Sequence, residues 1–267
     1  MSETEGQIEV GRLSVAYVAS GAGQPVVLVH GGESSRRQYD PFRPLLGPGI
    51  RAIAYDQRDV GDTVADPEPY TISTLARDCA GLIEALGYER AHLMGASLGG
   101  AIAMYVAIEH PERVASLTLV SAPPSAPGDV AEKIIAMSPD ERAKFMLDAV
   151  ISPEGQRREP ALVHQVQSLL RGSAMLSERR QDAIRTLDCA DRLPEITAPT
   201  LVINGTDDPL VPATTAEFVA GQIPGATLEL IDGGRHGLTL EQRETTAGLV
   251  RRFVLAHAPD EPGRESA

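Results

Sequence analysis

At 267 residues, 42% of them hydrophobic and 23% charged, the chain has the make-up of one sizeable globular domain, which excludes a disordered or fibrous protein. Its 24 basic against 37 acidic side chains leave a formal net charge of -13, a field that repels nucleic acid and anionic membranes. The acidic start, Met1 to Gly6, lacks the basic and apolar regions of an export signal, and no apolar run is long enough to span a bilayer.

Two strand-like runs open the chain, Gln7–Val10 and Leu13–Ala19, split by a tight turn at Gly11-Arg12. Pro25–His30 follows, then Arg51–Tyr55, Ala91–Met94, Val114–Val120, Thr200–Ile203 and Thr227–Ile231. These are continuous Val/Ile/Leu runs rather than strict alternations, the pattern of strands buried on both faces of a parallel sheet. Helical periodicity lies between them. In Thr71–Leu86 the apolar residues Ile72, Leu75, Cys79, Leu82, Ile83 and Leu86 recur at three- and four-residue intervals, with Gly87 as C-cap. Gly99–His110, stopped by Pro111, is a second helix, and Ala213–Gly221 and Leu240–His257 follow later strands. Strand and helix therefore alternate, and the fold class is α/β: a mostly parallel central sheet flanked by helices.

One stretch breaks the rhythm. From about Ser125 to Arg192 no strand run occurs, only helical segments at Val130–Met137, Ala143–Val150, Ala161–Leu170 and Glu178–Leu187, with loops carrying Ser138-Pro139 and Ser152-Pro153. The expected organisation is a core of residues 1–124 and 193–258, a helical cap over 125–192 set at the C-terminal edge of the sheet, and a polar, disordered tail over 259–267. Within the cap Met137, Phe145, Met146, Leu162, Val166, Leu169 and Met175 are apolar at helical spacing; most are expected to pack onto the core, and the methionines suit an irregular apolar ligand.

The chemistry concentrates in Gly95-Ala96-Ser97-Leu98-Gly99, followed by Gly100, between an expected strand and an expected helix. A turn that sharp strains the serine backbone and requires small neighbours, and the amides opening the helix then face the site. His236 is the candidate base. Neutral imidazole can take a proton near pH 7, and of the six histidines only this one sits in a glycine-bounded loop after the last expected strand. Asp207 and Asp208 both follow the strand Thr200–Ile203, and adjacent turn residues cannot both aim at one imidazole.

Taken together, His30-Gly31-Gly32, Asp56-Gln57-Arg58, the serine elbow, Gly205 to Pro212 and Gly233-Gly234-Arg235-His236 resemble the α/β-hydrolase family, in its order, from about Val15 to Phe253. The resemblance, to the serine esterase and lactonase branch, implies Ser97 as nucleophile, Asp208 rather than Asp207 as the acid, and His236 as base. It also implies an oxyanion hole made by the amides of Leu98 and Gly32. Two places depart from the family pattern. Glu33, Ser34 and Ser35 stand where a proline and an aromatic residue are usual, and Asp59-Val60-Gly61-Asp62 replaces Gly-x-Gly after Arg58. A serine at the elbow argues against dehalogenases and epoxide hydrolases, in which the family carries aspartate there.

The expected activity is cleavage of an ester or lactone of a small, largely apolar molecule. Carbon–carbon bond hydrolysis, acyl or peroxy-acid transfer, and slow-turnover ligand binding stand as alternatives on the same residues. The expected partner is a small-molecule substrate, with a homodimer left open. No metal-type cluster, P-loop or dinucleotide fingerprint appears, so no cofactor is expected. Cys79 and Cys189 read as buried free thiols, and with no export signal a reducing, cytoplasmic setting is expected.

Overall fold

β1 (Glu3–Val10) and β2 (Leu13–Gly21) form a hairpin closed at Gly11-Arg12, in which Val10 pairs with Leu13. The computed structural model describes residues 3–126, 128, 137–172 and 177–258. β3 (Gly23–Val29), β4 (Gly49–Tyr55), β5 (Ala91–Ala96), β6 (Val114–Val120), β7 (Thr200–Gly205) and β8 (Thr227–Ile231) complete one eight-stranded sheet in the order β1-β2-β4-β3-β5-β6-β7-β8. The pairs β1–β2 and β2–β4 are antiparallel and the rest are parallel.

Successive residues of a strand point to opposite faces, so each central strand feeds two cores. Val27, Val29 and Leu93 pack with Leu75, Leu82, Ile102 and Val106 of α1 (Ile72–Ala85) and α2 (Leu98–Glu109), and with Val219 of α7 (Ala213–Gln222). Val26, Leu28 and Met94 pack on the other face with Tyr39, Phe42, and Val250 and Val254 of α8 (Arg243–Ala256). Helix α2 is buried from Leu98 to Ile108, which explains why it is apolar on every side. Cys79 and Cys189 are buried and free, and burial pushes both thiols up to about 12.

Between β6 and β7 run α3 (Pro139–Val150), α4 (Pro153–Arg158), α5 (Pro160–Gly172) and α6 (Glu178–Arg185). Residues 130–136 of the expected first helix of this stretch, Met175, the side chain of Leu169 and the tail Pro259–Ala267 lie outside the described residues. Among the described residues no helix is long and apolar enough to cross a membrane.

Four features differ from expectation. Ser138-Pro139 and Ser152-Pro153 start helices instead of lying in loops. Ser138 forms a capping box with Glu141, the Ser152 hydroxyl accepts from Gly155 N, and each proline occupies the first helical turn, where its missing N–H costs nothing. β1 begins four residues before Gln7, because an edge strand can be polar and its Glu3 and Glu5 carboxylates pair with Arg43 and Arg36. β8 is largely exposed rather than buried on both faces, since it is the opposite edge of the sheet.

Candidate active site

The parallel strands deliver their C-terminal ends to one edge, and the expected residues follow those ends: Gly32 after β3, Ser97 after β5, Asp208 after β7 and His236 after β8. Ser97 is the one residue between β5 and α2, at φ 53° and ψ −123°. That left-handed conformation is strained for a residue with a Cβ, by about 1–3 kcal/mol, and the surroundings hold it. Ser97 N donates to Val120 O (2.9 Å), while its own carbonyl accepts from Gly100 N (2.9 Å) and Ala101 N (3.2 Å). The glycines are required by close approach. A Cβ on Gly99 would enter the carbonyl oxygens of Val29 and His30, and one on Gly100 would meet the Ala122 Cβ.

His236 Nδ1 lies 2.9 Å from Asp208 Oδ2 and 3.2 Å from Oδ1. The Asp208 side chain is fully buried and the His236 ring is 11% exposed. Asp208 Oδ1 also accepts from Leu210 N (2.9 Å) and Val211 N (3.0 Å). Burial alone would push this carboxyl up, but His236 and the two amides outweigh it and hold it below the ordinary carboxylate range. Asp207 is exposed, so the structure puts Asp208, not its neighbour, on the imidazole. The His236 loop is fastened in turn: His236 N and Gly237 N donate to the carbonyls of Ala149 and Val150 (3.0 and 3.2 Å) at the end of α3.

Ser97, Leu98, Gly32 and His236 line one cleft of about 270 Å³. Among the described residues no hydrogen bond joins Ser97 to His236, and such catalytic contacts commonly tighten only with substrate bound. Met146, Val150, Val166, Ile184, Leu187 and Leu240 form an apolar wall, while Glu33, Ser34, Gln38 and Thr239 form a polar end. Of the apolar residues singled out in the stretch 125–192, Met146 and Val166 reach the cleft, and Leu162 is buried with Ile151 and Leu240. Glu33 is paired with Arg142 of α3.

A sequence profile of the alpha/beta hydrolase family matches residues 26–249. The chain belongs to the alpha/beta hydrolase family. It is 34% identical over 246 residues to RutD of Variovorax paradoxus, provisionally named a carbamate hydrolase, covering 87% of this chain and 91% of that one. It is also 34% identical over 254 residues to a non-heme chloroperoxidase of Streptomyces lividans, covering 87% and 92%. Among solved structures, a thermophilic esterase from Thermogutta terrifontis superposes with a TM-score of 0.79 at 25% identity, covering 97% of this chain and 100% of that one. The chain is accordingly an enzyme, a hydrolase.

In this hydrolase several side chains at the site escaped the sequence reading. Gln38 and Thr239, both buried, are joined by a hydrogen bond of 3.2 Å, and Gln38 Oε1 accepts from Gly31 N (3.1 Å). Gln57 donates from Nε2 to His30 O (2.7 Å) and from its backbone N to His30 Nε2 (3.3 Å). That acceptor role leaves the proton on Nδ1, which donates to Gly31 O (2.8 Å). Burial, then the charge of Arg180, lowers the His30 pKa to about 3, so the ring is neutral. No local pattern announces Gln38; Gln57 stands in the Asp56-Gln57-Arg58 motif, but its partners, like those of Gln38, are set by tertiary packing. Among the described residues no cluster of His, Cys, Asp or Glu is arranged to hold a metal ion.

Proposed function

We propose that this hydrolase cleaves a carboxylic ester or lactone of a small, largely apolar molecule through an acyl-enzyme on Ser97. The observation that carries the reading is the convergence on one cleft of a serine at a strained elbow and an imidazole whose Nδ1 is 2.9 Å from a buried carboxylate. Asp208 holds the proton on Nδ1, which leaves Nε2 free to accept one from Ser97. The serine oxygen attacks the carbonyl carbon, and the electron pair moves to the carbonyl oxygen, where the amides of Leu98 and Gly32 are its donors. Collapse expels the alcohol, protonated by His236, and water repeats the steps to release the acid.

The described helices α3 to α6 act as the cap in this reading and, with Leu187 and Leu240, supply the apolar wall. By comparison with a cavity of about 150 Å³ that holds one benzene ring, the cleft accommodates on the order of ten non-hydrogen atoms. Among the described lining residues of the cleft Glu33 is the one carboxylate, and it is paired with Arg142, which favours an uncharged substrate. The esterase neighbour supports ester cleavage. The chloroperoxidase relative keeps a second reading in view, acyl or peroxy-acid transfer by the same residues, which product analysis with peroxide separates from hydrolysis.

The test is labelling with a fluorophosphonate, followed by mapping of the modified peptide. Rapid modification at Ser97 that is lost in His236→Ala, with Ser97→Ala folded but inactive on nitrophenyl esters, is the expected result. A folded wild-type protein that does not label would overturn the acyl-enzyme.

A further inference from the structure

The turn His30–Gly32, which carries one of the two amides assigned to the oxyanion, is clamped by a side chain from far along the chain. Arg180, in the first turn of α6, is fully buried. Its Nη2 donates to Gln57 Oε1 (2.7 Å), its Nη1 to Arg58 O (3.3 Å) and its Nε to Gly32 O (3.4 Å). Gln57 passes the constraint on by donating to His30 O (2.7 Å). The guanidinium therefore reaches both ends of the turn, Gly32 directly and His30 through Gln57.

The connection continues to the peptide that matters. Gly31 C=O and Gly32 N–H belong to one peptide group, and in a trans peptide they point in opposite directions. His30 Nδ1 fixes that carbonyl at 2.8 Å, and so fixes the direction of the Gly32 N–H. The His30 ring is itself oriented by the backbone N–H of Gln57, and the Gln57 side chain, which holds the His30 carbonyl, is oriented by Arg180.

A desolvated cation is costly to keep, and every hydrogen-bond acceptor here is neutral. Among the described residues Arg180 forms no direct ion pair, although the Asp59 carboxylate acts on it at longer range and Tyr70 is a further neutral hydrogen-bond partner. Burial pulls its pKa below the usual arginine value. Fastening α6 does not require it, because its neighbours do that. Arg179 pairs with Asp59 at 2.5 Å, and the Ser177 hydroxyl donates to the same carboxylate at 2.7 Å.

We propose that Arg180 is a positioning residue: through Gln57 and His30 it aims the Gly32 N–H at the oxyanion, and its buried charge, only partly offset by Asp59, favours the negative charge developing there. This rests on the acyl-enzyme reading of Ser97. A group that acts in this way affects the transition state more than substrate binding, and so acts on kcat.

The experiment compares wild type, Arg180→Met, Arg180→Lys and Arg185→Met. Three quantities are read: kcat and KM for 4-nitrophenyl butyrate per labelled site, the rate of fluorophosphonate labelling at Ser97, and inhibition by an alkylboronic acid, which forms a tetrahedral adduct. Complete loss of an oxyanion donor costs roughly 10²–10³ in kcat, so a misaimed one is expected to cost roughly ten- to a hundredfold. Arg180→Met should show that loss in kcat, labelling and boronate affinity together, with KM within about threefold. Arg180→Lys, which keeps the charge but not the fork, should fall between, and Arg185→Met, which removes an exposed arginine of the same helix paired with Asp182, should stay near wild type in kcat.

An Arg180→Met enzyme with normal kcat, or with only KM raised, overturns the proposal. Should that variant not fold, Arg180→Lys decides: reduced kcat at unchanged KM supports the role and wild-type kcat refutes it. Wild-type protein that fails to label at Ser97 sinks the acyl-enzyme reading and this proposal with it, whereas equal labelling of wild type and Arg180→Met sinks only the role of Arg180.

Discussion

Asp208→Asn tests the acid–imidazole pair without disturbing its packing. Oδ1 of Asp208 accepts from Leu210 N at 2.9 Å and Val211 N at 3.0 Å, so these amides dictate which end of an asparagine faces them. The amide oxygen must take that place, because an NH₂ group cannot accept. The NH₂ then falls where Oδ2 now stands, 2.9 Å from His236 Nδ1. A donor there forces Nδ1 to become the acceptor and moves the ring proton to Nε2, the nitrogen that has to receive the proton of Ser97. The base is present but in the wrong tautomer. Loss by this route is about 10⁴-fold in kcat, or about 5.5 kcal/mol at about 1.36 kcal/mol per tenfold. Steady-state kinetics on a nitrophenyl ester read it, with thermal unfolding to show that the fold persists and Asp207→Asn as the exposed neighbour left near wild type. The reasoning fails if Asp208→Asn keeps a tenth or more of wild-type kcat, or if Asp207→Asn proves the damaging change.

Gly99→Ala should lower stability by about 1–3 kcal/mol or more, read as a fall in Tm, since its Cβ has only the carbonyl oxygens of Val29 and His30 to enter; an unchanged Tm would mean that the elbow can open. His30 sets an acid limit. Its folded pKa is lowered to about 3, against about 6.5 when unfolded, so the unfolded chain takes the proton first as pH falls. The stabilisation is fully present above about pH 6.5 and is lost progressively down to about pH 3, on the order of 5 kcal/mol in all. Urea unfolding between pH 7.5 and 4.5 should show this slope in wild type and a shallower one in His30→Gln; equal slopes would remove His30 as its source.

What the chain discloses by itself depends on how local the cause is. The elbow is legible because its steric demand falls on residues adjacent in sequence: Gly95, Gly99 and Gly100 are small because backbone or a neighbouring Cβ lies against them. His236 and Asp208 are legible by their order and by glycine-rich loops; the family resemblance favours Asp208 over Asp207, and the hydrogen bond to Nδ1 places it on the imidazole. Ser138-Pro139 misleads because Ser-Pro serves turns and helix starts equally, and the capping box with Glu141 resolves it. Arg180 is invisible to any such reading. Its partners Gly32 and Gln57 are 148 and 123 positions away, and Arg179 beside it has the same residue type and a different task.

The positions that depart from the usual family pattern share a physical use. Asp59 stands at φ 60°, a conformation that favours glycine, and accepts from Arg179, Ser177 and Tyr70. Glu33, where the family often has another residue type, is paired with Arg142. Both carboxylates belong to loops at the C-terminal edge of the sheet, and their arginine partners lie on α6 and α3 of the inserted stretch. Glu241 adds a third fastening by accepting from Ser152 N at 2.7 Å and from its hydroxyl at 2.5 Å. Such ties trade backbone ease for a fixed placement of the helices that line the cleft. They also connect the wall of the cleft to the two loops on which catalysis depends in the proposed mechanism, since α3 holds the His236 loop and α6 holds the His30–Gly32 turn. A substitution that frees either helix should therefore alter turnover as well as substrate fit, and kcat and KM report the two effects separately.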